Sequence, residues 1–508
     1  MTVTQLLEDW TARQPDKTFL LFKNEEITYQ QLRDYMHAVA CGLIKLGVKR
    51  GDNVCLLIPN RPEFMYSFFG VMRAGAVAVP INTLLKGEEI SYIVNNCEAE
   101  TIIVTDEYLD LFRSVRKGCP RIKHVISTTD DDDVISLKHL LTTPIDEALL
   151  PAIREEDDAS IIYTSGTTGR PKGVILTHGN YMWDAKFMND AVEMSTEDRF
   201  LCILPLFHVN AQVVTTLGPM YAGASMVLMD EFSPKKLLPA LEHYGATAFS
   251  GVPTVYAILN NLPDAEQYDL SKLRFCVCGA APMPVEVFKE FEKKYKAFIL
   301  EGYGLSEGTC ASSVNPLGGK RKIGSIGLPY EGQPMKIFDD NDNEVPTGSV
   351  GEIVIRGPNV MKGYYNNPEA TAETLRNGWL HTGDLGYVDE DGYFFIVGRK
   401  KEMIIRGGEN IYPKEIEEVI YRHPAVREAA VVGLPDKVWG EEVAAFIVLR
   451  DQAALTEKDM IGYCMEHLAD YKCPRKVFFV EELPKTATGK IQKNKVVERF
   501  LAERGARD

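Results

Sequence analysis

The sequence predicts an α/β protein: a large N-terminal domain of doubly wound sheets plus a β-rich subdomain, then a small α+β C-terminal domain. Three observations predict it. Strand-like and helix-like segments alternate through the first part of the chain and again over 274–305. Short strands and turns replace them over 325–398, and a compact unit mixing helices and strands follows. At 508 residues the chain also exceeds what one hydrophobic core serves.

The elements follow in order. Thr28-Tyr-Gln-Gln31 has the spacing of a capping box, and an amphipathic run continues to about Leu46. An apolar strand over 53–58, a helix over 62–73 and a strand over 76–81 come next, with further βα units over 88–96, 101–105 and 124–127. The pattern predicts a parallel sheet. Over 274–305 it returns as strand, helix near 284–295, strand and Gly-rich turn. The β-rich texture rests on Asn341-Asp-Asn343, Gly351-Glu-Ile-Val-Ile-Arg356 and Asp389-Glu-Asp-Gly392. The last unit carries helices near 413–422, 456–469 and 493–504, and strands near 429–433, 443–449 and 476–480.

Composition excludes several classes. Hydrophobic residues are 45% and charged residues 25%, as in soluble globular enzymes. A formal net charge of −16 argues against a nucleic-acid binder and against electrostatic attachment to anionic membranes. The ten cysteines lack metal spacing, and Cys276 and Cys278 alternate in an apolar run; buried reduced thiols in a cytoplasmic protein are expected. Residues 1–16 include Glu8 and Asp9 and lack the apolar core of an export signal. The longest apolar stretch, 213–229, is broken by Gly218, Pro219 and Gly223, so no transmembrane segment is expected. The acidic run 130–133 is expected to be a solvated loop.

The sharpest chemical feature is Tyr163-Thr-Ser-Gly-Thr-Thr-Gly-Arg-Pro-Lys-Gly173, placed between the apolar segments 161–162 and 174–176. Its glycines, hydroxyls and lysine make a donor-rich loop whose backbone N–H groups suit phosphate. A flexible surface linker is the plain alternative, but linkers do not usually join two buried strands. The G-x-x-x-x-G-K-[ST] pattern of P-loop proteins is absent.

With four further segments the chain resembles the adenylate-forming superfamily: acyl-CoA synthetases, luciferases and the adenylation domains of peptide synthetases. They are Glu301-Gly-Tyr-Gly-Leu-Ser-Glu307, Trp379-Leu-His-Thr-Gly-Asp384, Gly398-Arg-Lys-Lys-Glu-Met-Ile-Ile-Arg-Gly-Gly-Glu-Asn410 and Pro484-Lys-Thr-Ala-Thr-Gly-Lys490. The resemblance covers nearly the whole chain, and its Gly-Gly-Glu-Asn version is nearer the acyl-CoA synthetases. It implies the adenylate-forming fold: an adenylation domain at 1–398 (β-rich part about 325–398), a hinge at 399–402 and a mobile domain at 403–508. It also implies ATP, Mg2+ and coenzyme A as ligands.

The site residues follow from that resemblance. Thr164, Ser165, Gly166, Thr167, Thr168, Gly169 and Lys172 would wrap the β- and γ-phosphates. Gly279, Ala280 and Ala281 would line the adenine, on which Tyr303 stacks beside Gly304 and Ser306. Glu307 would hold Mg2+ with Thr164, a hard cation suited to oxygen donors. Asp384 would accept the ribose hydroxyls, Arg399 would contact ribose or phosphate, and Lys401 falls at the hinge. Lys490 is the catalytic cation expected to stabilise charge on the transferring group; Lys485, Lys493 and Lys495 are expected to be surface charges. His208 would be a wall of the acyl site, and Gly407 and Gly408 would admit pantetheine.

The expected reaction is Mg·ATP-dependent conversion of a carboxylic acid to acyl-AMP and pyrophosphate, then acyl transfer to coenzyme A. A medium- or long-chain fatty acid is the expected substrate. Carnitine-like, aromatic or other small acids are alternatives, as is delivery to a carrier protein. The acyl pocket is placed around 208–216, 249–256 and 303–313, with Asn210, Gln212, Thr215 and Thr216 as polar members. A monomer or homodimer is expected.

Overall fold

A computed structural model describes residues 1–164, 170–281, 283–486 and 489–505. Two large sheets form the N-terminal body. One orders eight strands as Gly363–Tyr364, Lys172–Thr177, Asp158–Thr164, Val77–Pro80, Asn53–Leu57, Thr101–Val104, His124–Ser127 and Ile135–Ser136. The other runs over nine strands, from Leu328–Pro329 at one edge to Glu25–Thr28 at the other. Their central strands pair in parallel and are buried on both faces; every residue of Asn53–Leu57 and of Phe275–Cys278 is inaccessible. Helices cover both faces, as such strands require.

The predicted helices form for the predicted reasons. Thr28 and Gln31 exchange the two capping-box hydrogen bonds at the start of Tyr29–Lys45. Pro62–Arg73 matches the expected span, with Pro62 at the first helical position. Toward their edges both sheets depart from purely parallel pairing, with five antiparallel pairs among the described residues. Asp158–Thr164 and Lys172–Thr177, the strands flanking the Gly-rich segment, pair directly and antiparallel. All ten cysteines are free and buried. The acidic run is exposed but anchored, because Asp131 and Asp133 both pair with Arg113. No helix among the described residues is long and apolar enough to cross a membrane.

The β-rich region is an antiparallel sheet of Met335–Phe338, Gly351–Ile355, Leu380–Val388 and Phe394–Arg399. From 404 onward a fourth sheet, of five strands, has cores of its own. Val431, Ala445 and Ile447 pack on one face with Ile416 and Met460, while Val432, Ala444 and Phe446 pack on the other with Leu483 and Val496. That two-residue alternation is what a sheet covered on both faces demands.

Candidate active site

The carboxyl ends of three strands open on one cavity of about 770 Å³. Asp158–Thr164 delivers Thr164, Phe275–Cys278 delivers Gly279 and Ala280, and Phe298–Tyr303 delivers Tyr303 and Gly304. Ligands of open α/β sheets bind at such ends. Lys172, His208, Ser306, Glu307, Arg399, Lys401 and Lys490 also line it. Asp384 is 4% exposed and reaches the adjoining cavity of about 180 Å³, which Ala281, Tyr303, Arg399 and Lys490 border as well. Sequence-distant predictions thus converge. Residues 165–169 lie outside the described residues, so their placement is not part of this geometry.

Several positions are held by tight local constraints. A Cβ on Gly304 would sit 1.7 Å from the carbonyl oxygen of Cys310, so only glycine lets these two backbones meet. Ala280 has φ +69°, a left-handed conformation that costs a non-glycine residue energy and turns the chain past the strand end into the cavity.

Asp384 is engaged on both oxygens. Its Oδ2 accepts from the Tyr303 hydroxyl at 2.7 Å, and its Oδ1 meets Arg399 Nε at 2.9 Å. Asp384 and Arg399 are register partners on neighbouring strands, which fixes the pair. The Asp384 carboxylate in turn holds the Arg399 guanidinium above its ordinary pKa. Burial and then Arg399 push Lys401 down.

Lys490 enters this site from the C-terminal part. Its turn is tied by Thr254 Oγ1 donating to the Gly489 carbonyl at 3.0 Å, with Gly489 at φ +86°. Lys414 Nζ donates to the Ile396 carbonyl, and Arg450 reaches Asn261 and Glu290. Desolvation, reinforced by Arg399, lowers the Lys490 pKa to about 8. Lys485 and Lys493 are not the surface charges expected. They are half-buried and pair with Glu428 at 2.8 Å and Glu417 at 2.7 Å, because the strand Val426–Asp436 and the helix Pro413–Tyr421 bring those carboxylates against them. Lys495 is exposed as expected.

Tyr364 was not foreseen. Its hydroxyl donates to Glu307 Oε1 at 2.8 Å, and Lys172 Nζ lies 4.9 Å from its ring centre. The short strand Gly363–Tyr364 pairs with Val174 and Ile175 and so carries the ring between the two predicted phosphate-site residues. No spacing in the sequence signals that contact across some 57 positions.

The acyl end is more apolar than expected. Leu204, Val209, Val214, Val252, Val277 and Val314 face the cavity. Gln212, Thr215 and Thr216 do not line it. Gln212 accepts from Tyr181 and donates to the Leu206 carbonyl, and both threonine hydroxyls donate to the Ala211 carbonyl. Both threonines lie within a π-helical turn, Val213–Leu217, in which Thr216 reaches back five residues to the same carbonyl that Thr215 reaches over four. Asn210 lines the cavity, with its Oδ1 accepting from Ser250 Oγ at 3.0 Å. Burial lowers the His208 pKa to about 4, so the ring is neutral, a wall and not a cation.

Gly407 and Gly408 are not brought to the cavity. They form the exposed turn between Ile404–Arg406 and Glu409–Ile411, with φ +59° and +91° and Trp439 packed on Gly407. Lys490 is in the cavity and this turn is out of it.

This fold and this convergence of an Asp–Arg–Tyr cluster, a glutamate and a C-terminal lysine define an adenylate-forming enzyme. The chain belongs to the AMP-binding enzyme family: residues 7–365 match that family and residues 415–490 match the AMP-binding enzyme C-terminal domain. Within it, the protein is an AMP-forming acid–thiol ligase of the acyl-CoA ligase group, with ATP and coenzyme A as substrates. It is 36% identical to a long-chain-fatty-acid–CoA ligase of Bacillus subtilis (strain 168) over 529 aligned residues, covering 98% of this chain and 94% of that one. It is 37% identical to a feruloyl-CoA synthase of Amycolatopsis sp, covering 98% and 99%. The crystal structure of the anthranilate CoA ligase AuaEII in complex with anthranoyl-AMP superposes with a TM-score of 0.92 at 34% identity, covering 98% and 97%.

Proposed function

We propose that the protein activates a monocarboxylic acid with an apolar tail, a medium- or long-chain fatty acid, and passes it to coenzyme A. The observation carrying this reading is Lys490, drawn from the C-terminal fold into a cavity whose other end is walled by valines, leucine and a neutral histidine. A second carboxylate or a sulfonate at that end would be buried without a cation, at a cost of several kcal/mol.

Adenine would lie between Tyr303 and the Gly279–Ala281 backbone, and Asp384 would turn its oxygens from Tyr303 and Arg399 to the ribose hydroxyls. Thr164 to Gly169 and Lys172 would cradle the β- and γ-phosphates. Glu307 would hold Mg2+ with Thr164; among the described residues only its Oε1 is engaged, and an oxygen donor on a triphosphate site fits that hard cation. Bound there, Mg2+ would neutralise phosphate charge. The carboxylate oxygen attacks the α-phosphorus, pyrophosphate leaves, and Lys490 stabilises the charge on the non-bridging oxygens. The thiol of coenzyme A then attacks the acyl carbon and AMP leaves.

The hinge at 399–402 would let the domain from 403 rotate between these steps, withdrawing Lys490 and bringing Gly407 and Gly408 to the pantetheine. One cavity then serves both reactions and shields the adenylate from water. The test is AMP release over a panel of fatty, aromatic and dicarboxylic acids and carnitine, with and without coenzyme A. Coenzyme A-dependent turnover with fatty acids is expected. Turnover confined to dicarboxylic acids would overturn the apolar-tail reading, preference for aromatic acids would move the substrate, and indifference to coenzyme A would remove the second step.

A further inference from the structure

Strand Leu380–Val388 carries an irregularity whose repair points to an unassigned role. Against the neighbouring strand, Leu380 and His381 pair with Ile355 and Val354, and Leu385 and Gly386 pair with Glu352 and Gly351. Thr382, Gly383 and Asp384 therefore stand opposite Ile353 alone, an enlarged bulge with Gly383 at φ +71°. A bulge strands backbone polar groups, and buried ones must find partners. Here Thr382 Oγ1 donates to the Ile353 carbonyl at 2.7 Å and accepts from the Asp384 N–H at 3.1 Å. The Gly383 N–H goes to a side chain from the facing strand, Glu352 Oε1, at 2.9 Å.

Glu352 is itself fixed. It is 7% exposed, and its second oxygen, Oε2, lies 3.2 Å from His381 Nδ1 and 3.5 Å from Arg376 Nη2. Arg376 is anchored by both oxygens of Asp342. The bulge decides where Asp384 points: with Gly383 released, the next residue would fall back into regular register and its side chain would move relative to Tyr303 and Arg399.

We propose that Glu352 is a positioning residue for nucleotide binding, holding the Thr382–Asp384 bulge through the Gly383 N–H so that Asp384 meets the ribose hydroxyls. The inference rests on the reading of Asp384 as the ribose acceptor, and the experiment separates the two. Affinity for AMP and for 2′,3′-dideoxy-AMP is measured by titration calorimetry on the full chain, in the wild type and in Asp384→Ala, Glu352→Gln and Glu352→Asp. The wild type is expected to favour AMP by about tenfold or more, the worth of hydrogen bonds to a charged group. Asp384→Ala is expected to erase that preference. If it does not, the ribose reading fails, and the proposal built on it falls with it.

Glu352→Gln keeps an oxygen for the Gly383 N–H and is expected to retain the AMP preference within about twofold. Glu352→Asp keeps the charge but withdraws the oxygen by one methylene, and is expected to cut the preference at least about fivefold with dideoxy-AMP affinity unchanged. With the preference gone in Asp384→Ala, three results would each refute the role of Glu352: equal weakening of both ligands in Glu352→Asp, an intact preference there, or a loss in Glu352→Gln matching that in Glu352→Asp. Both Glu352 changes are conservative, and melting curves of each confirm that the compared proteins are folded.

Discussion

Titrating Lys490 is the most direct probe of the proposed first step. Its pKa is pushed from 10.5 to about 8, because the ammonium loses water on burial and faces Arg399. A lysine lowered in this way is charged below that value and loses its charge as pH rises through it. From the titration curve about nine-tenths of the molecules carry the cation at pH 7 and about one-tenth at pH 9. If the cation stabilises the transferring group, kcat/KM for ATP–pyrophosphate exchange should fall about tenfold between those values. Exchange needs no coenzyme A, so it isolates the first half-reaction. Lys490→Arg keeps its charge throughout and should show whatever activity it has without that fall. Lys490→Ala should lose about a hundredfold or more, the range for one preorganised charge-stabilising donor. Taking wild-type over variant ratios cancels ionisation of the substrates. A wild-type profile flat from pH 7 to 9, or the same fall in Lys490→Arg, would refute the reasoning. The linkage has a second consequence: between about 8 and 10.5 the unfolded chain binds the extra proton, so the fold gains stability as pH rises across that window.

Two further outcomes are expected. Tyr364→Phe removes the hydroxyl at 2.8 Å from Glu307, and the Mg2+ concentration for half-maximal exchange should rise by about threefold to tenfold at an unchanged melting temperature. Superimposable Mg2+ titrations would deny Tyr364 that part. Gly407→Ala places a methyl group 2.7 Å from the Trp439 ring in a turn at φ +59° and should slow thioester formation while exchange stays within about twofold. A parallel loss in both half-reactions would separate the turn from the coenzyme A step.

What the sequence discloses of this molecule is what local chemistry encodes. Thr28 and Gln31 announce a helix start because their hydrogen bonds span three residues, and the short apolar runs 429–433 and 443–449 announce strands because a sheet covered on both faces buries successive side chains. Lys172, Tyr303, Glu307, Arg399 and Lys490, which the fold brings to one cavity, stand in short motifs that each place a particular donor or a glycine at a fixed offset. Pairings between distant segments are not legible in this way. The Tyr364–Glu307 and Glu352–Gly383 hydrogen bonds join segments distant in sequence, and a bulge leaves no mark in hydrophobic periodicity. The antiparallel pairing around the Gly-rich segment was likewise hidden, since both of its strands are buried and read as continuous apolar runs.

The π-helical turn at Val213–Leu217 shows how far one such hidden feature reaches. A free threonine hydroxyl at the expected acyl end would invite a polar substrate. With both hydroxyls donating to Ala211 and Gln212 spent on Tyr181 and Leu206, that end offers dispersion and little hydrogen bonding. Such a surface separates neighbouring chain lengths weakly, by about 1–3 kcal/mol per methylene. A second charged group set against Leu204, Val209 and Val214 would lose its hydration to apolar walls, so its rejection is expected. Selectivity in this enzyme should therefore be broad in length and sharp in charge.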